Sequence, residues 1–165
     1  VTLHADLHPG CVVIAVEDDL HHVVFNLVEN AIKYNRPGGE VFVRLRRSGG
    51  FVDLHVEDTG IGVPADDLPH IFDRFYRVDK ARSRASGGSG LGLSIVRETV
   101  LEYGGTIEAF RRPEGGMDFH VCFPAIPHSN GIKFPPENIP PAVETPPAEN
   151  GPSDGASVET ERSKR

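Results

Sequence analysis

Apolar side chains in residues 1–126 recur with two different periods, every second residue in some stretches and every third or fourth in others. This mixture predicts an α+β domain, a two-layer α/β sandwich with helices packed on a sheet. Val41, Val43 and Leu45 alternate with Phe42, Arg44 and Arg46, and Val52, Leu54 and Val56 alternate with Asp53, His55 and Glu57. Each set is the signature of a strand with one buried face, and Ser48-Gly49-Gly50 between them predicts a hairpin loop. Met117, Phe119, Val121 and Phe123 repeat the alternation, and residues 106–110 and the apolar run at 12–16 predict further strands. The expectation is a mixed, mainly antiparallel sheet of about five strands.

Helical spacing is equally distinct. After Asp18-Asp19, expected to cap a first helix, apolar residues fall at Leu20, Val23, Val24, Leu27, Val28, Ala31 and Ile32, one stripe of a helix surface. A second helix is expected from Pro64, with Asp66 and Asp67 in its first turn, through Leu68, Ile71 and Phe72. A third opens after the glycines at 87–92, carries Leu93, Val96, Val100 and Leu101, and stops at Gly104-Gly105. All three are expected on one face of the sheet. Beyond residue 126 the periodicity disappears, and Pro, Glu, Ser, Asn and Gly dominate with paired prolines at 135–136, 140–141 and 146–147. Such a segment buries too little to offset its ordering entropy, so 127–165 is expected to be a disordered tail.

At 165 residues the chain is long enough for one full core and an appendage. Its net charge of −7, with bases interspersed among acids, provides no basic face for nucleic acid. Cys11 and Cys122 lack metal-ligand spacing, which fits a reduced, cytoplasmic setting. No run approaches the ~20 apolar residues of a membrane span.

Candidate chemistry lies in three clusters and a basic stretch. Asn26, Asn30 and Lys33 at i, i+4 and i+7 share one side of the first helix. Amide oxygens are hard ligands for Mg²⁺ and an ammonium attracts phosphate, so the trio implies magnesium and a nucleotide polyphosphate. Asp58-Thr59-Gly60-Ile61-Gly62 follows a strand, where a carboxylate can accept a hydrogen bond from an exocyclic amine such as that of adenine. Gly87-Gly88-Ser89-Gly90-Leu91-Gly92-Leu93 leads into a helix whose N-terminus offers unpaired N–H groups to phosphate. No Gly-Lys-Ser/Thr follows to make it a P-loop. The basic residues 74–84 between these clusters suit a lid over phosphates, with Phe72, Phe75 and Tyr76 as its packing anchors. Taken singly, each cluster has an ordinary explanation: a solvated helix face, a turn after a strand, a linker, or charges for solubility.

In this order and spacing they resemble the sensor histidine kinases. Asn26-Leu27-Val28-Glu29-Asn30-Ala31-Ile32-Lys33-Tyr34 is similar to the N box of that family and residues 58–62 to its G1 box. Phe72-Asp73-Arg74-Phe75-Tyr76-Arg77 resembles the F box and residues 88–93 the G2 box. The resemblance implies the Bergerat fold over 1–126, with ATP and Mg²⁺ as cofactors. It implies that Asn30, helped by Asn26, holds the metal, that Lys33 and Tyr34 contact phosphates, and that Asp58 reads the adenine amine. Gly60 and Gly62 would shape the base pocket, Gly88, Gly90, Leu91 and Gly92 would line the triphosphate, and Arg77 and Arg82 would be lid cations near the γ-phosphate. Asn30, Lys33, Arg77 and Arg82 would then serve transfer of that phosphoryl group to a histidine.

ATPase relatives of this superfamily carry a glutamate four residues before the magnesium asparagine, where a base can activate water. Asn26 occupies that position and cannot act as a base, which favours a histidine nitrogen with its own lone pair as acceptor. Glu29 is expected to be a helix-surface carboxylate. In the family the phosphoacceptor histidine precedes Glu or Asp, and none of the eight histidines here does so. The acceptor is therefore expected on a separate dimerisation and phosphoacceptor helical domain, with a cognate response regulator as the downstream partner and a membrane sensor as the parent protein. Two alternatives remain at this point: a nucleotide-responsive binding module without phosphotransfer, and a self-contained ATPase.

Overall fold

The computed structural model describes residues 1–78 and 89–126. The expected tail at 127–165 and the stretch 79–88, with Arg82 and Gly88, lie outside the described residues. The strands are β1 (Thr2–Leu7), β2 (Glu40–Ser48), β3 (Phe51–Asp58), β4 (Thr106–Arg111) and β5 (Met117–Pro124), and the α-helices are α1 (Glu17–Lys33) and α2 (Gly92–Glu102). One sheet runs in the order β1-β2-β3-β5-β4. Only β1 pairs in parallel with its neighbour β2, and the other three ladders are antiparallel.

The alternation seen in the sequence decides what each strand buries. Val41, Val43, Leu54, Val56, Phe119 and Val121 meet Val23, Leu27 and Ala31 of α1 and Val96 and Val100 of α2 in one core. The hairpin turns on Gly49, held at φ 58°, with Ser48 opposite Phe51. At the end of α2 the N–H of Gly104 reaches Leu101 O at 3.0 Å and that of Gly105 reaches Val100 O at 2.9 Å, with Gly104 left-handed at φ 69°. That is a Schellman ending, and it turns the chain into β4.

Three expectations are corrected. Residues 12–16 form no strand: the edge beside β2 is occupied by β1, in register from Thr2 opposite Glu40 to Leu7 opposite Leu45. The apolar run instead returns to the helix layer, with Val13 against the core and Val12 O accepting from Ile126 N at 3.0 Å. The helix expected over 64–72 is a series of turns around a 3₁₀ segment, Leu68–His70. Pro69 explains this, because its ring disfavours α-helical backbone in the residue before it and removes an N–H from the interior. The start of α1 is not capped by the side chains of Asp18 or Asp19; Val16 precedes the helix, and its N–H donates to the Tyr103 hydroxyl at 3.3 Å. Tyr103 in turn donates to Asp19, tying the two helices together. No helix among the described residues is long and apolar enough to cross a membrane.

Candidate functional site

A cavity of about 530 Å³ opens where the C-terminal half of α1, the end of β3 and the start of α2 meet. Its size suits a nucleotide-sized ligand. Asn26, Asn30 and Lys33 line it from α1, one helical turn apart, followed by Tyr34 at the C-cap. The Asn26 side chain donates from Nδ2 to His22 O at 2.8 Å, which turns Oδ1 toward the first residue of α2. That residue is Gly92, and a Cβ there would lie 2.9 Å from Asn26 Oδ1, so a larger residue would push the amide aside. Lys33 places Nζ 5.5 Å from the centre of the Tyr34 ring. Glu29, expected on the helix surface, is exposed and also borders the cavity.

Asp58 is the buried charge of the site, at 5 % exposure. Burial pushes its carboxyl pKa above the ordinary value, while backbone N–H groups of Gly60 and Met117 and the charge of Arg112 pull the other way. Gly60 N donates to Asp58 Oδ1 at 2.7 Å. A Cβ on Gly60 would collide with Tyr34 O and Asp58, so this glycine shapes the ground beneath the carboxylate without itself lining the cavity. Gly62, at φ 68°, does line it. Gly116, at φ 89°, sits against the Asp58 backbone where any side chain would clash. Arg112 donates to Asp58 O at 2.9 Å.

Gly90 and Gly92 line the cavity at the start of α2, and Gly90 is left-handed at φ 72° against Phe75. Leu91 stands just outside the wall and fixes the start of α2, its N–H 3.3 Å from Ser89 Oγ and its carbonyl accepting from the Ser94 hydroxyl at 2.9 Å. Arg77 lines the cavity from the turn segment, beside Tyr76 and Val78. Of the expected anchors, Phe72 packs edge-on against Phe119 and Tyr76 donates to Asp67. Phe75 is 69 % exposed and has φ 64°, so it is no packing anchor.

Sequence reasoning left out the apolar wall. Ile61, Val63, Ile71, Met117 and Phe119 line the cavity, giving it the dry surface a flat aromatic base needs. The chemistry of the donor set fits magnesium and a nucleotide: amide oxygens and an ammonium for a hard cation and phosphates, an apolar slot and a carboxylate for a base that carries an amine.

A family model described as "Histidine kinase-, DNA gyrase B-, and HSP90-like ATPase" matches residues 15–127. The chain is 40% identical over 127 residues to the sensor-like histidine kinase SenX3 of Mycolicibacterium smegmatis, covering 77% of this chain and 33% of that protein. It is 44% identical over 95 residues to the sensor histidine kinase WalK of Bacillus subtilis, covering 56% of this chain and 16% of that one. The chain thus spans a third or less of these relatives. Among solved structures, the mycobacterial sensor histidine kinase MprB superposes with a TM-score of 0.68 at 33% identity, over 75% of this chain and 83% of that one. Full-length ShkA, solved in complex with AMPPNP, superposes with a TM-score of 0.60 at 28% identity, over 75% of this chain and 26% of that one.

Proposed function

Because the chain belongs to the histidine kinase-, DNA gyrase B- and HSP90-like ATPase family, as a histidine kinase ATP-binding domain, we propose that it binds Mg-ATP in this cavity and delivers the γ-phosphoryl group to a histidine on a separate helical domain. The observation that carries the reading is one cavity lined by a buried carboxylate, two helix-borne amides, a lysine and a glycine-rich helix start. Asp58 accepts the adenine amine, held in place by the Gly60 N–H and sheltered by Gly62. Asn30, with Asn26, is the seat for Mg²⁺, which neutralises phosphate charge when bound. Lys33 and Tyr34 face the phosphates, and Gly90 and Gly92 admit them to the N–H groups at the start of α2. Gly88 and Leu91 belong to the same glycine-rich stretch of sequence and are assigned to the triphosphate, and Arg77 and Arg82 are assigned to the γ-phosphate as lid cations. Phosphoryl transfer needs little covalent help from the protein, so positioning and charge neutralisation supply most of the rate. Residues 1–126 are the catalytic unit in this reading and 127–165 a tail appended to it. The parent kinase dimerises through the acceptor domain, passes phosphate to a response regulator and is a membrane sensor.

The test is phosphotransfer in trans. Labelled ATP should mark a separately supplied histidine-bearing helical domain from the parent kinase, and Asn30→Ala should abolish marking while nucleotide affinity falls less. Steady hydrolysis without transfer would favour the ATPase alternative, for which Glu29 is the carboxylate bordering the cavity. Binding without either reaction would favour a nucleotide-responsive module.

A further inference from the structure

The sheet face turned away from the helices carries a cluster that the nucleotide reading does not use. On β3, Asp53, His55 and Glu57 point to one side, and on β5, Asp118, His120 and Cys122 do the same. The register sets His55 opposite His120, Glu57 opposite Asp118 and Asp53 opposite Cys122. His55 Nδ1 lies 3.1 and 3.2 Å from the two oxygens of Asp118, and His120 Nε2 lies 2.9 Å from Asp53 Oδ1. The two imidazoles stack with centres 4.2 Å apart and planes 6° from parallel. One ligand atom each from His55, Glu57 and Asp118 falls within 4.8 Å of the others.

We propose that His55, Glu57 and Asp118 bind a divalent transition metal of the zinc class on this open sheet face. Tetrahedral zinc with bonds of about 2.0–2.1 Å sets its ligand atoms roughly 3.3–3.5 Å apart. The His55–Asp118 pair is within a few tenths of an ångström of that spacing, and Glu57 closes on it by rotating its side chain. The groups are partly withdrawn from water, with side-chain exposures of 32% for His55, 23% for Asp118 and 11% for Glu57. Glu57 also pairs with Arg44 and lies 3.7 Å from Arg112 Nε. A carboxylate offers about four lone-pair sites, so these contacts leave room for a metal on the same group. His120, held by Asp53, braces the His55 ring from its flat side, as an outer partner fixes a ligating imidazole. Burial pushes the Cys122 thiol pKa up, followed by the nearby Asp53 charge. Imidazole among oxygens selects zinc, cobalt or nickel over magnesium.

The test uses the whole 165-residue chain without nucleotide. Zn²⁺ calorimetry should show one saturable site and Co²⁺ a visible ligand-field band. His55→Gln and Asp118→Asn should each weaken uptake by at least about 10-fold, the scale of even outer-partner losses at metal sites. His22→Gln, which alters the exposed histidine pair on α1, should leave uptake unchanged. Nucleotide affinity retained in His55→Gln and Asp118→Asn certifies their fold and separates this site from the proposed function. Uptake no tighter than millimolar, uptake indifferent to both substitutions, or uptake lost with His22→Gln overturns the proposal.

Discussion

The two faces of this sheet are built from alternate residues of the same strands, yet they obey different physics. Toward the helices, Val41, Val56 and Val121 are fully buried against Leu27 and Val100, and area removed from water dominates. On the other side, Arg44, Arg46, Asp53, His55, Glu57, Asp118 and His120 form hydrogen bonds and ion pairs with part of their surface still wet. Face by face, stability resides in the first and adjustable charge in the second. The nucleotide cavity forms where that division fails: β3 buries Val56, Glu57 and Asp58 in succession, so its inward face ends on a carboxylate where the helices no longer cover it. A charge placed at the margin of an apolar layer can discriminate an amine that an exposed aspartate would leave to water.

Substitutions on the inner face should have the largest effect. Leu27→Ala, at 0 % exposure, is expected to cost about 2–5 kcal/mol of unfolding free energy, read from denaturant midpoints at constant slope. Next comes the margin. Asp58→Ala should lose about 1.5–3 kcal/mol of nucleotide binding, the scale of a hydrogen bond to a charged group, or roughly 10- to 150-fold in Kd.

The same residue also predicts two opposed pH dependences. With its folded pKa raised by burial, Asp58 holds its proton more tightly folded than unfolded. Its contribution therefore favours the fold below the ordinary aspartate value of about 3.9 and is lost as pH rises through the folded value. Adenine binding, which needs the ionised acceptor, should strengthen over that window. Thermal melts and binding isotherms across acid pH would check both, and Asp58→Ala should flatten both. The smallest effect belongs to the outer face: Arg46→Ala breaks an exposed pair with Asp6 at 2.5 Å and should cost only about 0.2–1 kcal/mol, less in high salt. A loss there as large as that at Leu27 would erase the distinction between the faces.

Legibility in the sequence followed the same division. Strands β2, β3 and β5 announce themselves because burial on one side enforces a period of two. Strand β1 is exposed at all six positions, so no buried stripe marks it, and the stronger apolar run at 12–16 drew the assignment instead. The segment 64–72 has helical apolar spacing, but Pro69 governs its backbone locally and makes turns. In the site, polar residues grouped in motifs were legible, and Asn26, Asn30, Lys33 and Asp58 do line one cavity. The apolar lining was not, since Met117 and Phe119 alternate like any core strand and only the third dimension shows them beside Asp58. Gly116 and Arg112 escaped for a related reason: they touch Asp58 through its backbone, and they stand more than fifty residues away in the chain.

The central claim is that one nucleotide occupies the cavity framed by α1, β3 and α2 with its base against Asp58. Calorimetry of the folded chain with ATP and magnesium, beside the Asp58→Ala variant, tests it most directly. The account predicts one nucleotide per chain for the unaltered protein and a loss of at least about 10-fold in affinity for the variant. Absence of uptake by folded protein, or equal affinity in the two, would contradict it.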